Sequence, residues 1–260
     1  MLLAGKVAII TGIGPGLGRE IALLFAREGA SLAIAARSAD RLAKVAGEIE
    51  SLGRPVLARP TDLADRESCR ALVDAAIARF GHVDILVQNG HYDGDYKIVT
   101  DSDPQTWRDI MEVNLFGAFH LAQFVVPSMQ QRGDGRLIFV NSGASTDPPP
   151  TLGAYAASKA ALASLVRTLA VELGPTGIRA NGIQLGPMTG ENFRGYVEDL
   201  ARRAGRSYDE ELAIWNAQFP LRATPTPVEC AGTALFLASD LARPITGQSI
   251  AVNNGRWFVS

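Results

Sequence analysis

Tyr155 and Lys159 stand four residues apart near the start of a long apolar-patterned stretch, YAASKAALASLVRTLAVELG, that reads as one helix. At that spacing a phenol and an ammonium share a helix face. A phenol titrates at about 10, too high for efficient acid-base work at neutral pH, and a nearby cation lowers an acid by about 1–3 pH units. The pair suits proton transfer, although the spacing taken alone is common by chance.

A second chemical signal lies near the start of the chain, where the apolar run Val7 to Thr11 passes into TGIGPGLG. Gly12, Gly14, Gly16 and Gly18 fall between a strand and a helix, a turn that brings backbone N–H groups and a helix N-terminus close to a pyrophosphate. An ordinary glycine-rich turn would look the same, and the second apolar run separates the two readings. That run ends at Ala36 and Arg37, about 20 residues on, where dinucleotide folds read the adenosine ribose. A carboxylate there selects NAD. Neutral Ala36 and cationic Arg37 instead suit a 2′-phosphate, so NADP is expected over NAD; a solvated arginine at a helix start is the alternative.

These residues need a frame, and the hydrophobic pattern supplies one. VAIIT, SLAIAA (Ser31 to Ala36), PVLAR, DILVQ (Asp84 to Gln88) and RLIFVN (Arg136 to Asn141) are near-continuous apolar runs, as in parallel strands covered on both faces. They alternate with amphipathic helices, one of which runs TWRDIMEVNLFGAFHLAQFVV. Gly29, Gly53, Gly81 and Gly174 close helices where left-handed caps are expected. The expectation is an α/β fold, a doubly wound parallel sheet of Rossmann type, as a single domain over residues 1–260 with function after the strands. Residues 188–227 show no strand pattern, and Phe193, Tyr196, Trp215 and Phe219 make them either a substrate-lid insertion or a helical excursion that simply packs.

Composition removes several classes. The chain of 260 residues is 47% hydrophobic and 20% charged, with Lys+Arg 25 against Asp+Glu 27 and a net charge of −2. It is a globular composition with no basic block to track a phosphate backbone, so nucleic acid is not an expected partner. Cys69 and Cys230 have no neighbours at metal-ligand spacing and read as core residues in a reducing compartment; no metal is expected. MLLAGKVAIITG lacks the basic region of a signal peptide, and the uncharged stretch 114–131 is interrupted by Asn, His, Gln and Pro, a poor membrane span. A cytoplasmic protein is expected.

With these residues in view, the whole chain resembles the short-chain dehydrogenases/reductases in their compact single-domain branch. TGIGPGLG is similar to that family's Thr-Gly-x-x-x-Gly-x-Gly turn, Asp62 in PTDL to its adenine-contacting aspartate, and Asn114 in EVNLFG to its active-site asparagine. Ser142 in FVNSGAS precedes Tyr155 at the family's usual spacing. The resemblance implies a tetrad: Tyr155 as general acid in reduction, Lys159 lowering its pKa and holding the nicotinamide ribose, Ser142 orienting the carbonyl, and Asn114 supporting a proton-relay water. It adds Leu17, Leu63 and Asn89 to the cofactor-binding set, with Gly186, Met188 and Thr189 near the carboxamide. It also implies a homo-oligomer, a tetramer joined through the Asn114 and Tyr155 helices.

Three places depart from the family pattern. His91 in VQNGH replaces a glycine beside the cofactor and either shapes the substrate pocket or is a surface-loop histidine. LeuGlyPro at 185–187 sets Thr189 one place early, and VNNGR at 252–256 replaces a glycine-rich ending while keeping the turn. The function expected is NADP(H)-dependent interconversion of an alcohol and a carbonyl on a small, moderately apolar substrate, with His91, Phe193 and Trp215 toward that substrate. An NAD-preferring dehydrogenase and a catalytically idle cofactor-binding regulatory protein are the rivals; the second would show a broken tetrad.

Overall fold

The central apolar runs fold as strands because both faces of the sheet are covered there, whereas PVLAR forms a partly exposed edge strand. In a computed structural model describing residues 1–258, β1 (Val7–Thr11) is buried at every position, and so is β4 (Ile85–Gln88). Between and after them come β2 (Ser31–Ala36), β3 (Val56–Pro60) and β5 (Gly135–Ser142). The sequence pattern left two strands unnamed, β6 (Ile178–Leu185) and β7 (Ser249–Val252). The seven strands run parallel in the order β3-β2-β1-β4-β5-β6-β7. The order reverses between β1 and β4, and a crevice opens at such a point at the carboxyl ends of the strands.

The helices are α1 (Leu17–Arg27), α2 (Ala39–Ser51), α3 (Arg66–Phe80), α4 (Pro104–Met111), α5 (Gly117–Arg132), α6 (Gly153–Leu173), α7 (Glu191–Ala204), α8 (Tyr208–Asn216) and α9 (Pro227–Ala238). Two cores result. Ile21, Phe25, Leu42 and Ala234 cover one face with α1, α2 and α9; Leu72, Leu121, Val125 and Leu162 cover the other with α3, α5 and α6. Local chemistry sets several starts: Asp65 caps α3, Asp103 caps α4 ahead of Pro104, and Ser207–Glu210 and Thr226–Glu229 form capping boxes on α8 and α9.

Three expectations are corrected. Gly174 is right-handed, and the left-handed turn after α6 falls to Gly177, at φ +80°, once a short 3₁₀ turn has intervened. The helix read through Asn114 is not continuous: Glu112–Phe116 is a π-helical turn between α4 and α5. The stretch Pro104–Arg132 is also long and apolar enough to cross a membrane by length and composition. Here Leu121, Ala122, Val125 and Met129 are buried in the sheet-face core, so part of its apolarity is used in packing. Within residues 188–227 the chain is helical over α7 and α8.

Candidate active site

The glycine turn is built from two kinds of glycine. Asn89, after β4, donates from Nδ2 to the Gly12 carbonyl at 2.9 Å, and its N–H donates to Thr11 Oγ1 at 3.2 Å. A Cβ on Gly12 would lie 2.6 Å from Gly90 Cα, and one on Gly18 would lie 2.9 Å from Asn89 Nδ2. Gly12 and Gly18 are therefore needed for packing β1, α1 and β4 together. Gly14 and Gly16 face open space, with no atom within 4 Å of a Cβ at either. α1 starts behind Gly16 with no side chain bonded to its first amides. An open cradle of backbone ending on free helix N–H groups fits a pyrophosphate.

Its neighbours are placed to extend that cradle. Arg37 follows β2 and Asp62 follows β3, both exposed. Asp62 Oδ1 accepts from Ala64 N at 3.0 Å, which fixes its loop. Leu63 is buried, closely facing Gly90 and Gly117. Leu17 is buried in the α1 core and Met188 packs against the same core, so each can offer a cofactor mainly its backbone. Gly186 N donates to Val252 O at 3.0 Å and Thr189 N to Pro225 O at 2.9 Å, pinning the loop after β6.

At the ends of β4 and β5 the four candidate catalytic residues converge from three elements. Ser142 ends β5, and its Oγ accepts from Ala144 N at 3.2 Å. Lys159, one turn along α6 from Tyr155, is only 2% exposed and donates from Nζ to Val140 O at 2.8 Å. That bond anchors the ammonium 5.6 Å from the centre of the Tyr155 ring. Asn114, fully buried in the π turn, accepts from Tyr92 N at 2.8 Å through Oδ1 and donates through Nδ2 to Tyr92 O at 3.0 Å and Ser158 Oγ at 2.9 Å. Ser158 in turn donates to Tyr155 O at 2.7 Å. Asn114 thus braces the loop after β4 against the catalytic helix. The π turn supplies the inward aim.

Electrostatics correct one expectation. Burial pushes the Tyr155 phenol well above its ordinary value; the Ser142 side chain, within hydrogen-bonding reach, works against this, while Asp93 and Tyr96 add to it. In the geometry of the chain itself Lys159 is not the group that lowers the phenol. Its ammonium lies toward the ring and is bonded to a carbonyl, and burial pulls it down to about 8, with Asp93 opposing. Below that pH it remains a cation beside the phenol.

The sequence singled out His91, and the structure brings it to the site. Its ring meets Tyr155 edge-on with centroids 6.3 Å apart, and its Nε2 lies 3.3 Å from Asp93 Oδ1. Desolvation first and the Lys159 charge second hold its imidazole below the usual histidine range, with Asp93 opposing. Phe193 and Trp215 pack with each other at 5.7 Å, joined by Tyr196 at 5.5 Å and Phe219 at 6.3 Å from Trp215. Thr189 and Phe193 line a cavity of about 360 Å³ with Asn216 and Thr224. Two residues escaped the sequence reading. Ser158 shares a helix face with Tyr155 three residues away, a signal that was available; Trp257, whose indole lies on Gly143 beside Ser142, had none. Among the described residues no His, Cys, Asp and Glu cluster could hold a metal ion.

The arrangement matches known proteins along its length. A family model described as short chain dehydrogenase matches residues 6–201. The 7alpha-hydroxysteroid dehydrogenase of Escherichia coli K12 is 36% identical over 253 residues, covering 97% of this chain and 94% of its own. The L-sorbose reductase of Gluconobacter frateurii, solved with NADPH and L-sorbose, superposes with a TM-score of 0.92 at 32% identity, covering 98% of each chain. An NAD+-bound xylitol dehydrogenase superposes at 0.91 with 27% identity, over 98% of this chain and 100% of its own.

Proposed function

The chain belongs to the short-chain dehydrogenase/reductase family, an NAD(P)-dependent oxidoreductase acting on alcohol or carbonyl groups, and we propose that it uses NADP(H) with Tyr155 as its general acid. The observation that carries this reading is the convergence of Tyr155, Ser142 and the anchored Lys159 ammonium beside an open backbone cradle. Gly14, Gly16 and the first amides of α1 would hold the pyrophosphate, Arg37 the 2′-phosphate and Asp62 the adenine, with Lys159 and Thr189 toward the nicotinamide. When bound, the nicotinamide supplies the hydride.

The side chains supply the rest. Ser142 Oγ is oriented by its bond from Ala144 N and is in reach of the phenol, so it can hold a carbonyl oxygen against Tyr155. The phenol keeps its proton at neutral pH and can donate it to the alkoxide formed on reduction. Lys159, held on Val140 O beside the Tyr155 ring, would bind the nicotinamide ribose. Asn114 and Ser158 position the catalytic turn. Exposed Phe116 in the π turn, Phe119 on α5 and Val171 on α6 support association with further copies of the chain.

The test is oxidation of NADPH and NADH over a panel of aldehydes and ketones, with Tyr155→Phe and Arg37→Ala beside the unaltered protein. Loss of turnover in the first variant, by about 100-fold or more, and of NADPH preference in the second are expected. Retained turnover in Tyr155→Phe refutes the acid; equal use of both cofactors by the unaltered protein refutes the role of Arg37.

A further inference from the structure

The register of β5 on β6 sets Ser142 beside Leu185, so Gly143 and Gly186 come next, side by side at the carboxyl ends of adjacent strands. Neither has a side chain, and the notch between them is filled by the indole of Trp257. A Cβ on Gly143 would collide with the six-membered part of that ring, and one on Gly186 would lie 3.2 Å from its Cη2. The indole is thereby wedged against the residue that follows the carbonyl-orienting serine. A side chain on Gly143 leaves it no room.

Trp257 is not a loose end laid over the site. Its segment follows β7 and is tied at several points: Asn253 Nδ2 donates to Trp257 O at 3.0 Å, and Gly255 N donates to Asn253 Oδ1 at 2.9 Å. Asn254 Nδ2 donates to Ala223 O at 2.9 Å, holding the segment to the chain that leaves α8. The Arg256 guanidinium lies 5.6 Å from the ring centres of both Trp215 and Phe219, a cation–π contact with the aromatic cluster of α7 and α8. One short segment thus connects that cluster to Ser142. On the phenol itself the neighbouring wall is His91, edge-on at 6.3 Å.

We propose that Trp257 is a specificity-determining residue: its indole limits the width of the carbonyl compound that can reach Ser142. The substrates are compact carbonyls, open-chain or single-ring, and their alcohols; fused-ring ketones are excluded. This rests on the reading of Ser142 and Tyr155 given above, and it adds the substrate class. Rigid aromatic walls discriminate by shape because a ring wedged between backbone atoms cannot yield as a flexible side chain would.

The experiment compares kcat/KM for cyclohexanone and for the fused bicyclic 2-decalone in the unaltered protein, Trp257→Ala, Trp257→Phe, Gly143→Ala and Tyr155→Phe, with NADPH and with NADH. Trp257→Ala is expected to raise the decalone-to-cyclohexanone ratio at least about tenfold, while Trp257→Phe, which keeps a ring in the notch, stays near the original ratio. Gly143→Ala drives the indole out and is expected to move the ratio in the same direction, a check that does not depend on removing tryptophan. An unchanged ratio in Trp257→Ala and Gly143→Ala, with Tyr155→Phe inactive, overturns the role of Trp257 alone. Full activity in Tyr155→Phe, or none on either ketone in the unaltered protein, overturns the underlying reading and this one with it.

Discussion

Lys159 should make the stability of the fold rise with pH across a window where most proteins are losing it. Its ordinary midpoint of 10.5 is pulled down to about 8 by burial, so between those values the unfolded chain binds a proton that the folded chain does not. Stability then increases with pH through the window. At about 1.4 kcal/mol per pH unit the full gain is about 3 kcal/mol. The thiols work the other way: burial pushes Cys69 up to about 12 and Cys230 up to about 11 from an ordinary 9.0, so both favour unfolding as pH rises above 9. The quantity to measure is therefore a difference. Urea unfolding of the unaltered protein and of Lys159→Met, without nucleotide, at intervals from pH 7 to 10.5 cancels the thiols. The variant also leaves Val140 O without its donor, a pH-independent offset of about 1–3 kcal/mol. The stability of the unaltered protein relative to the variant should climb by about 3 kcal/mol from pH 8 to 10.5. A flat difference would mean that Lys159 titrates as it does in water, and the buried-cation account of the site would fall.

Single contacts set the remaining outcomes. Gly18→Ala should lower stability by about 1–3 kcal/mol in urea because its Cβ meets the Gly12 carbonyl and Asn89. Gly14→Val, directed into open space, should leave the unfolding midpoint in place and weaken NADPH binding at least about tenfold by fluorescence titration; undiminished binding would remove the cradle assignment. Asn114→Ala strands the backbone of Tyr92 and should cost about 1–3 kcal/mol, with faster amide exchange in the loop after β4; unchanged exchange would show that Asn114 braces nothing. Asp84, fully buried, accepts from Val7 N at 2.8 Å and Arg132 Nε at 3.2 Å, and Asp84→Ala should cost about 3–5 kcal/mol far from the site while leaving NADPH affinity unaltered.

Much of the fold was legible because its signals are local. An all-buried strand needs a run of apolar residues, and β1, β2 and β5 each show one. β6 is harder to read because Arg179, Asn181 and Gln184 interrupt it, and they donate to distant partners: Arg179 to Leu237 O at 2.8 Å, Asn181 to Ile245 O at 2.9 Å, Gln184 to Thr146 Oγ1 at 3.1 Å. A buried polar residue in a strand looks like a loop residue until its acceptor is known. The π turn at Asn114 is invisible for the same reason, since its side chain is bonded to residues 22 and 44 positions away.

The sequence by itself determined the elements, the family resemblance and the list of chemical groups, because helix periodicity, strand burial and the glycine turn are written within a few residues of one another. Only the tertiary structure decided what those groups do to each other. It raised the phenol by burying it, placed the Lys159 ammonium on a carbonyl rather than on the phenol oxygen, split the glycines into packers and cradle, and set Trp257 beside Ser142 from 115 residues away. Desolvation and contact depend on what surrounds a group in space, and neighbours in space come from strand order and register, which no window of the sequence contains.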